Sequence, residues 1–250
     1  MQHLNPFRQL KRFLYHKFKK KINIDLDKKL ENLSIDELFQ YFSCDKAKKW
    51  ENGTGHGFSD FYEKHLTAYK NKRINILEVG AFAGASAATF VKFFPLSKIY
   101  CLDINLTNFK YSSKNIEVFG LDISEEKMLD KFYKIIKIYQ DTKHFDIIID
   151  DGSHKLSDIV AALNSLYKNL RLGGFYIIED FKYPNYYKHL NDCTELKVDQ
   201  ILDCLKNKRK FKSNILTEEN IDYMSNSIEE ISEYRGLCKD SDIAFIKRLN

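Results

Sequence analysis

From residue 74 onward, the chain alternates short apolar runs with amphipathic segments. The apolar runs lack polar alternation, which is typical of strands buried on both faces of a sheet. They predict five strands, at 74–79, 99–104, 116–119, 145–150 and 175–179. Apolar residues at helical spacing predict helices between them, at 85–93, 124–139 and 157–169. Such regular alternation predicts an α/β fold with a doubly wound, mostly parallel sheet.

The carboxyl-terminal part breaks this alternation. Its hydrophobic pattern predicts a helix within 195–210 and two further strands at 228–234 and 242–247. The last two strands are joined by a turn around Gly236, and so short a connection links antiparallel strands. We therefore expect a seven-stranded sheet that ends in an antiparallel strand.

The first 55 residues predict a helical extension ahead of a larger domain at 56–250. Within 6–21, apolar residues recur at helical spacing with basic residues between them. Ser34 and Glu37 form a capping box, which predicts the start of a second helix. We expect the first helix to dock on the domain with a solvated basic face. A contact of 6–21 with an anionic membrane surface or an acidic partner is the alternative.

Composition and charge exclude several classes of protein. Mean hydropathy is −0.44, and no apolar run approaches the 18 residues of a membrane span. The amino terminus lacks the apolar core of a secretory signal, and the five cysteines form no C-x-x-C pair, so we expect a cytoplasmic protein without disulfides or zinc. The net charge of +5 conceals an uneven distribution. Without the seven basic residues of 1–21, the chain has 33 basic and 35 acidic residues, which disfavours general nucleic-acid binding.

A glycine-bearing turn joins the first predicted strand to the first predicted helix. The segment I-L-E-V-G-A-F-A-G-A-S at 76–86 places Gly80 and Gly84 where a backbone can approach a ligand closely. The residues around Gly84, including Ser86, are small, so their side chains would not obstruct a ligand. The second strand ends near Asp103, whose carboxylate suits a ribose diol. Asp122 follows the third strand and either meets an adenine amino group or serves as a turn residue.

Acidic residues also follow the fourth and fifth predicted strands. D-D-G-S-H places Asp150, Asp151 and His154 after strand four, and Glu179 and Asp180 end strand five. Ligands bind at the carboxyl ends of strands in open α/β sheets. Converging carboxylates repel each other unless a cation compensates, and oxygen ligands suit Mg²⁺. The alternative is that Asp151 and Asp180 only cap helices or turns.

Together, these motifs resemble the class I S-adenosylmethionine-dependent methyltransferases over roughly residues 56–248. The resemblance implies that the glycine turn passes the methionine part of the cofactor and that Asp103 holds the ribose. Asp150 is expected to contact the methionine amino group, and Glu78 either does the same or orients the glycine loop. The expected cofactor-binding residues are Glu78, Gly80, Gly84, Ser86, Asp103, Asp122, Asp150 and Tyr62.

D-G-S-H with a downstream E-D resembles the metal-dependent sugar O-methyltransferases of macrolide biosynthesis, the mycinamicin type. This resemblance implies that Asp151, Glu179 and Asp180 bind Mg²⁺ and that His154 is the catalytic base, with Asp151 also catalytic. The early segment D-K…G-H-G-F-S-D-F-Y is similar to that group as well. It places four residues near the cofactor or acceptor: Asp45, Lys46, His56 and Tyr62. We expect the basic helix and the short segment after it to stand in place of the larger extra domain of that family.

The resulting hypothesis is an O-methyltransferase that uses S-adenosylmethionine and Mg²⁺ to methylate a sugar hydroxyl. The acceptor is a nucleotide sugar or a precursor of a surface polysaccharide, and we expect a homo-oligomer. Two alternatives remain: metal-independent methylation of a small molecule, and a non-catalytic binding module that keeps the fold. Nucleic-acid substrates are disfavoured because D-D-G-S follows strand four where an N-P-P-Y-type loop would stand.

Overall fold

The computed structural model describes residues 6–140 and 144–250. Within these ranges, the α-helices are α1 Pro6–Phe18, α2 Ile35–Tyr41, α3 Ser59–Leu66, α4 Ala85–Phe93, α5 Glu126–Gln140, α6 Leu156–Leu166, α7 Tyr183–Tyr186, α8 Val198–Lys206 and α9 Glu218–Ser227. The strands of the large sheet are β1 Asn75–Val79, β2 Lys98–Asp103, β3 Ile116–Gly120, β4 Phe145–Asp150, β5 Leu170–Glu179, β6 Ile228–Arg235 and β7 Asp242–Arg248. Two short two-stranded pairs lie outside this sheet: Ile22–Asn23 with Tyr111–Ser112, and Lys49–Trp50 with Gly53–Thr54.

The large sheet has the predicted topology. Its seven strands follow the order β6–β7–β5–β4–β1–β2–β3. Strand β7 runs antiparallel to both β5 and β6, whereas β4 with β5 and β2 with β3 are parallel pairs. Hydrophobic side chains fill both faces of β4, where Phe145, Ile147, Ile148 and Ile149 are fully buried. The prediction of a Rossmann-like α/β fold with one reversed strand is confirmed.

The chain divides into two compact units. The first contains residues up to Ile74 together with Glu78–Phe132. An aromatic cluster stabilises its core: the rings of Phe39, Tyr62 and Phe90 lie 5.3–6.0 Å apart. The predicted capping box begins α2, since the Glu37 amide donates to Ser34 Oγ (3.3 Å) and the Ser34 amide donates to Glu37 Oε2 (2.8 Å). The predicted division at residue 55 stays a prediction.

The second unit contains Asn75–Leu77 and Tyr133–Asn250. Its helices α6, α8 and α9 bury their apolar faces, with Leu163, Ile201 and Met224 each at most 1% exposed. The sequence analysis missed α9, which follows an N-cap at Thr217 whose Oγ1 accepts from the Asn220 amide (3.2 Å). Strand β5 begins five residues earlier than predicted, because Gly173 and Gly174 lie within the strand.

Helix α1 is docked as expected, but through the opposite face. Arg12 Nη1 donates to the carbonyl oxygen of Ile104 (2.9 Å), and Lys19 Nζ donates to that of Thr107 (2.8 Å). Meanwhile Phe7 and Phe18 are 83% and 80% exposed. Arg8, Lys11 and Lys17 are exposed as expected, whereas Arg12 and Lys19 face the domain and the apolar side chains do not. These hydrogen bonds to main-chain carbonyl oxygens hold the side of α1 that carries Arg12 and Lys19 against 104–107.

Among residues 6–140 and 144–250, the helices are too short or too polar to cross a membrane.

Candidate active site

The ends of β4 and β5 bring the predicted acidic residues together. Asp150 is in register with Ile178 across this parallel pair, so the residues that follow leave the sheet side by side. Asp151 continues from β4, while Glu179 and Asp180 continue from Ile178. The parallel register thus places the two acidic pairs at one edge of the second unit, as the sequence predicts.

Asp151, His154 and Asp180 form a compact cluster. Each offers one ligand atom, and these atoms lie within 4.8 Å of one another. His154 Nε2 is 3.7 Å from Asp151 Oδ1, with about a fifth of each side chain exposed. Two carboxylates and an imidazole at such distances can hold a divalent cation, and the carboxylate oxygens suit Mg²⁺. Asp151 and Asp180, two of the three ligands that the resemblance implies, therefore fit this metal.

Two members of this cluster have a left-handed backbone conformation. His154 has φ 57° and Asp180 has φ 51°, both in the left-handed region. Non-glycine residues adopt this region at a cost of about 1 kcal/mol or more, and such residues concentrate at functional sites. The strained conformations at His154 and Asp180 support a functional interpretation of the cluster.

Glu179 lies outside the cluster of three. It is the last residue of β5, is 1% exposed, and pairs in register with Ile243 of β7. Its role as a metal ligand remains a prediction. Rotation about the side-chain bonds of a glutamate can move its carboxylate by several ångströms, and a bound cation supplies the attraction for such a movement.

Asp150 has a buried carboxylate oxygen in a position that would favour a positively charged neighbour. The residue is 4% exposed, and its Oδ2 has no hydrogen-bond partner among the described residues. Burial, and to a smaller extent the Asp151 carboxylate, raises the pKa of Asp150 to about 8. A cationic group beside Oδ2 would restore the ionised form. The predicted contact with a methionine ammonium group suits this environment.

Tyr183 connects two members of the cluster. Its ring centroid lies 5.0 Å from that of His154, and its hydroxyl is hydrogen-bonded to the Asp180 side chain. Burial and the Asp180 charge raise the pKa of the Tyr183 phenol far above its ordinary value, so the hydroxyl stays a donor. Tyr183 therefore supports the cluster.

The predicted glycine turn occupies the end of β1 in the first unit. Gly80 has φ 83° and Gly84 has φ 76°, and Gly84 is the N-cap of α4. A Cβ atom at Gly84 would lie 2.6 Å from two ring atoms of Phe109. Glycine is thus required at position 84 for two independent reasons, the left-handed backbone and the close approach of an aromatic ring.

We predict that Gly84→Ala destabilises the protein by about 2–4 kcal/mol, the sum of a left-handed alanine and an overpacked contact. Thermal unfolding should show a Tm lower by roughly 5–15 °C. Gly53→Ala is the control, because the nearest atom to its Cβ, the Trp50 carbonyl oxygen, is 3.9 Å away. If Gly84→Ala unfolds no earlier than Gly53→Ala, the turn has a different conformation. Adding Phe109→Leu should offset part of the loss at Gly84.

Asp103 organises the turn through main-chain hydrogen bonds. Its Oδ2 accepts from the Phe82 amide (2.8 Å) and its Oδ1 from the Asn105 amide (2.6 Å). Each carboxylate oxygen retains a further lone pair, so a ribose diol remains within its hydrogen-bonding capacity. The ribose role predicted for Asp103 is compatible with this geometry and stays a prediction.

Glu78 lies beneath the turn and holds it from the core side. The residue is fully buried, and its Oε1 accepts a short hydrogen bond from Ser86 Oγ on α4. Cys101 Sγ donates to Glu78 Oε2 (3.8 Å), and burial together with the Glu78 charge raises the pKa of this thiol. Of the two roles predicted for Glu78, orientation of the glycine loop is the one that these contacts support. Ser86 participates in the same support.

Asp122 and Tyr62 have structural roles in the first unit. Asp122 Oδ1 accepts from the Ser124 amide (3.0 Å) and hydroxyl (2.7 Å), which forms the turn ahead of α5. Tyr62 is fully buried in the aromatic cluster with Phe39 and Phe90. Hydrophobic packing explains why the Tyr62 ring is buried. Contacts of Asp122 and Tyr62 with the cofactor remain predictions.

Asp45, Lys46 and His56 belong to a loop closed by main-chain hydrogen bonds. The His56 amide donates to the Asp45 carbonyl oxygen (2.6 Å), and Lys46 is 2% exposed. Burial raises the pKa of Asp45, but the charges of Lys46 and His56 outweigh this effect, so the pKa falls below its usual value. Gly55 allows this closure, since a Cβ there would meet the Ala47 carbonyl oxygen. The proximity of this loop to a ligand stays a prediction.

Comparison with known proteins finds relatives that are sugar O-methyltransferases. No family model matches the chain. A mycinamicin VI 2''-O-methyltransferase of Micromonospora griseorubida is 32% identical over 132 residues, which is 50% of this chain and 31% of that protein. An L-olivosyl-oleandolide 3-O-methyltransferase of Streptomyces antibioticus is 29% identical over 157 residues, 60% of this chain and 38% of that protein. The chain thus spans about a third of the length of these relatives.

A solved structure shares the fold. The methyltransferase MycE of the mycinamycin pathway, crystallised with Mg, S-adenosylhomocysteine (SAH) and mycinamycin VI, superimposes with a TM-score of 0.65. The two chains are 22% identical, and the match covers 87% of this chain and 55% of MycE. The cofactors expected from the sequence correspond to the ligands of MycE. This chain therefore has the fold of the class I S-adenosylmethionine-dependent methyltransferases, and it resembles the sugar O-methyltransferases of macrolide biosynthesis.

Proposed function

We propose that the protein is a Mg²⁺-dependent O-methyltransferase that methylates a sugar hydroxyl with S-adenosylmethionine. The observation that carries the proposal is the cluster of Asp151, His154 and Asp180, whose ligand atoms lie within 4.8 Å of one another. The glycine turn at Gly80 and Gly84 supports donor binding, and the sugar O-methyltransferases among the relatives support the acceptor class. The acceptor is a nucleotide sugar or a precursor of a surface polysaccharide.

The chemistry needs a good nucleophile, because the sulfonium methyl group is already activated. A sugar hydroxyl is a weak acid and a poor nucleophile while it keeps its proton. Mg²⁺ held by Asp151, Glu179 and Asp180 would orient vicinal hydroxyls and lower the pKa of one of them. The left-handed backbones of His154 and Asp180 support a functional role for both residues in this chemistry.

His154 is the proton acceptor in this proposal. Its Nε2 is 3.7 Å from Asp151 Oδ1, so an imidazolium formed there would be stabilised by that carboxylate. The hydroxyl proton moves to the imidazole, the oxygen forms a bond with the methyl carbon, and the carbon–sulfur bond breaks. The products are a methyl ether and SAH. Tyr183 keeps Asp180 in place through its hydroxyl.

The test is release of SAH with a panel of nucleotide sugars, free sugars, phenols and amines. Each acceptor is assayed with Mg²⁺, with EDTA, and with EDTA followed by excess Mg²⁺. We expect transfer to a sugar, its loss in EDTA, and its recovery with Mg²⁺. Turnover that is unchanged by EDTA would exclude the metal mechanism. Methylation of phenols or amines alone would exclude the sugar acceptor.

A further inference from the structure

Helix α1 packs on the rest of the first unit through a polar stripe. Four half-buried residues repeat along one face of the helix, namely Gln9, Arg12, His16 and Lys19. Three of these side chains reach main-chain carbonyl oxygens: Arg12 Nη1 donates to Ile104 (2.9 Å), His16 Nδ1 lies 3.2 Å from Leu106, and Lys19 Nζ donates to Thr107 (2.8 Å). The rings of His16 and Phe109 also meet edge to face at 5.9 Å. Docking thus uses the polar side of an amphipathic helix.

The apolar stripe of α1 faces away from this docking surface. Its members are exposed: Phe7 83%, Leu10 55%, Leu14 43% and Phe18 80%. A helix that lies on its own domain normally turns its apolar stripe inward and its charges outward. Here the orientation is reversed. A row of exposed large apolar side chains is typical of a surface that meets another apolar phase.

A basic cleft lies beside the stripe. It encloses about 460 Å³ between Arg8, Lys11 and Arg12 of α1 and the residues Asn105, Thr107 and Asn108 opposite. Three cations beside the side-chain amides of Asn105 and Asn108 make a suitable environment for a phosphate group. The segment 6–21 contains seven basic residues and no acidic one. The partner of this surface must therefore combine an apolar phase with negative charge.

We propose that α1 docks the protein on an anionic lipid bilayer. The apolar stripe enters the boundary between headgroups and acyl chains, and the basic cleft binds lipid phosphates. Interfacial helices have this combination of an apolar face and Lys or Arg at its margins. A second copy of the chain is a poorer partner, because it would oppose two segments that each carry seven positive charges.

The test is sedimentation of the full chain with vesicles of phosphatidylcholine alone and with 30% phosphatidylglycerol. We expect at least tenfold tighter binding to the anionic vesicles and a steep loss of binding at high salt, because salt screens exposed charges. Leu14→Ser with Phe18→Ser should reduce binding at least tenfold. Arg8→Gln with Lys11→Gln should do the same on anionic vesicles only. None of these residues belongs to the candidate active site, so methyl transfer to a water-soluble acceptor should not change.

Matched control variants distinguish specific binding through α1 from non-specific hydrophobic adsorption and from the effect of net charge. Leu172→Ser with Leu237→Ser removes two exposed leucines elsewhere (65% and 59% exposed), and Lys206→Gln with Lys208→Gln removes two charges from another basic cluster. Both controls should bind vesicles like the wild type. Equal binding to both kinds of vesicle, or losses as large in the controls, would overturn the proposal. So would a dimer in sedimentation velocity that Leu14→Ser with Phe18→Ser dissociates, since the stripe would then be a protein interface.

Discussion

Asp151→Asn is expected to lower kcat/KM for methyl transfer about 10³-fold, which corresponds to loss of roughly 4 kcal/mol of transition-state stabilisation by the metal. The substitution keeps the shape of the side chain but removes the charge that attracts a divalent cation. Asp151 Oδ1 lies 3.7 Å from His154 Nε2, so the imidazolium would also lose a stabilising partner. Steady-state kinetics with saturating Mg²⁺ measure this loss.

The same variant separates metal binding from folding. In the wild type, Mg²⁺ at 100 times its Kd should stabilise the folded state by about 2.7 kcal/mol and raise the Tm by several degrees. Asp151→Asn should lose this rise. Without Mg²⁺ its Tm should equal or exceed that of the wild type, because the Asp151 charge opposes ionisation of the buried Asp150. Asp222→Asn, an exposed acid on α9, is the charge-matched control. A full Mg²⁺-dependent Tm rise in Asp151→Asn would show that this carboxylate is not a ligand.

His154→Asn is expected to lower kcat about 10²–10⁴-fold, the usual contribution of a general base. Asparagine tolerates the left-handed backbone at this position, where φ is 57°, so the loop should keep its conformation. The Mg²⁺-dependent rise in Tm should persist because the carboxylates remain. Steady-state kinetics and thermal unfolding of the same preparation check the two effects together.

His154→Gly extends this experiment. Glycine also adopts the left-handed conformation, and it leaves room beside Asp151 and Tyr183 for added imidazole. We expect imidazole in the buffer to restore part of the lost rate. His144→Asn is the control, since His144 is exposed and lies just before the opposite end of β4. Undiminished kcat in His154→Asn would exclude the base, and loss of the Mg²⁺ effect on Tm would make His154 a ligand instead.

The mostly parallel sheet with its antiparallel strand, and the edge that carries the candidate site, could be predicted from the pattern of the sequence. Uninterrupted apolar runs such as 145–150 predict strands buried on both faces, and parallel strands end at one edge. The residues that follow them, Asp151 and Asp180, therefore had to lie near each other. The role of Gly84 could also be predicted, since glycine at a turn between a strand and a helix indicates that another group approaches the backbone closely. Helix α9 was missed because its apolar positions Ile221 and Met224 are few within a polar segment.

The members of the cluster could not be chosen from the pattern. The sequence offers four carboxylates at the ends of β4 and β5, but their side-chain directions depend on backbone angles beyond the strands. His154 and Asp180 have positive φ and lie in the cluster with Asp151, while Glu179 stays in the regular strand. His and Asp enter the left-handed region more often than most residues, but most of them do not adopt it, so the residue type alone does not predict this conformation. The hydrogen bond from Tyr183 to Asp180 depends on the same local turn.

The sequence by itself determined the α/β fold, the glycine turn and the gathering of acidic residues at one sheet edge, because hydrophobic period and strand direction are local properties of the chain. The tertiary structure alone decided which three side chains share a possible ligand site and which face of α1 is docked. Both depend on groups distant in sequence: the backbone carbonyls of 104–107 for Arg12 and Lys19, and β5 for Asp151. Contacts between groups so far apart in sequence cannot be predicted from the spacing of hydrophobic and polar residues.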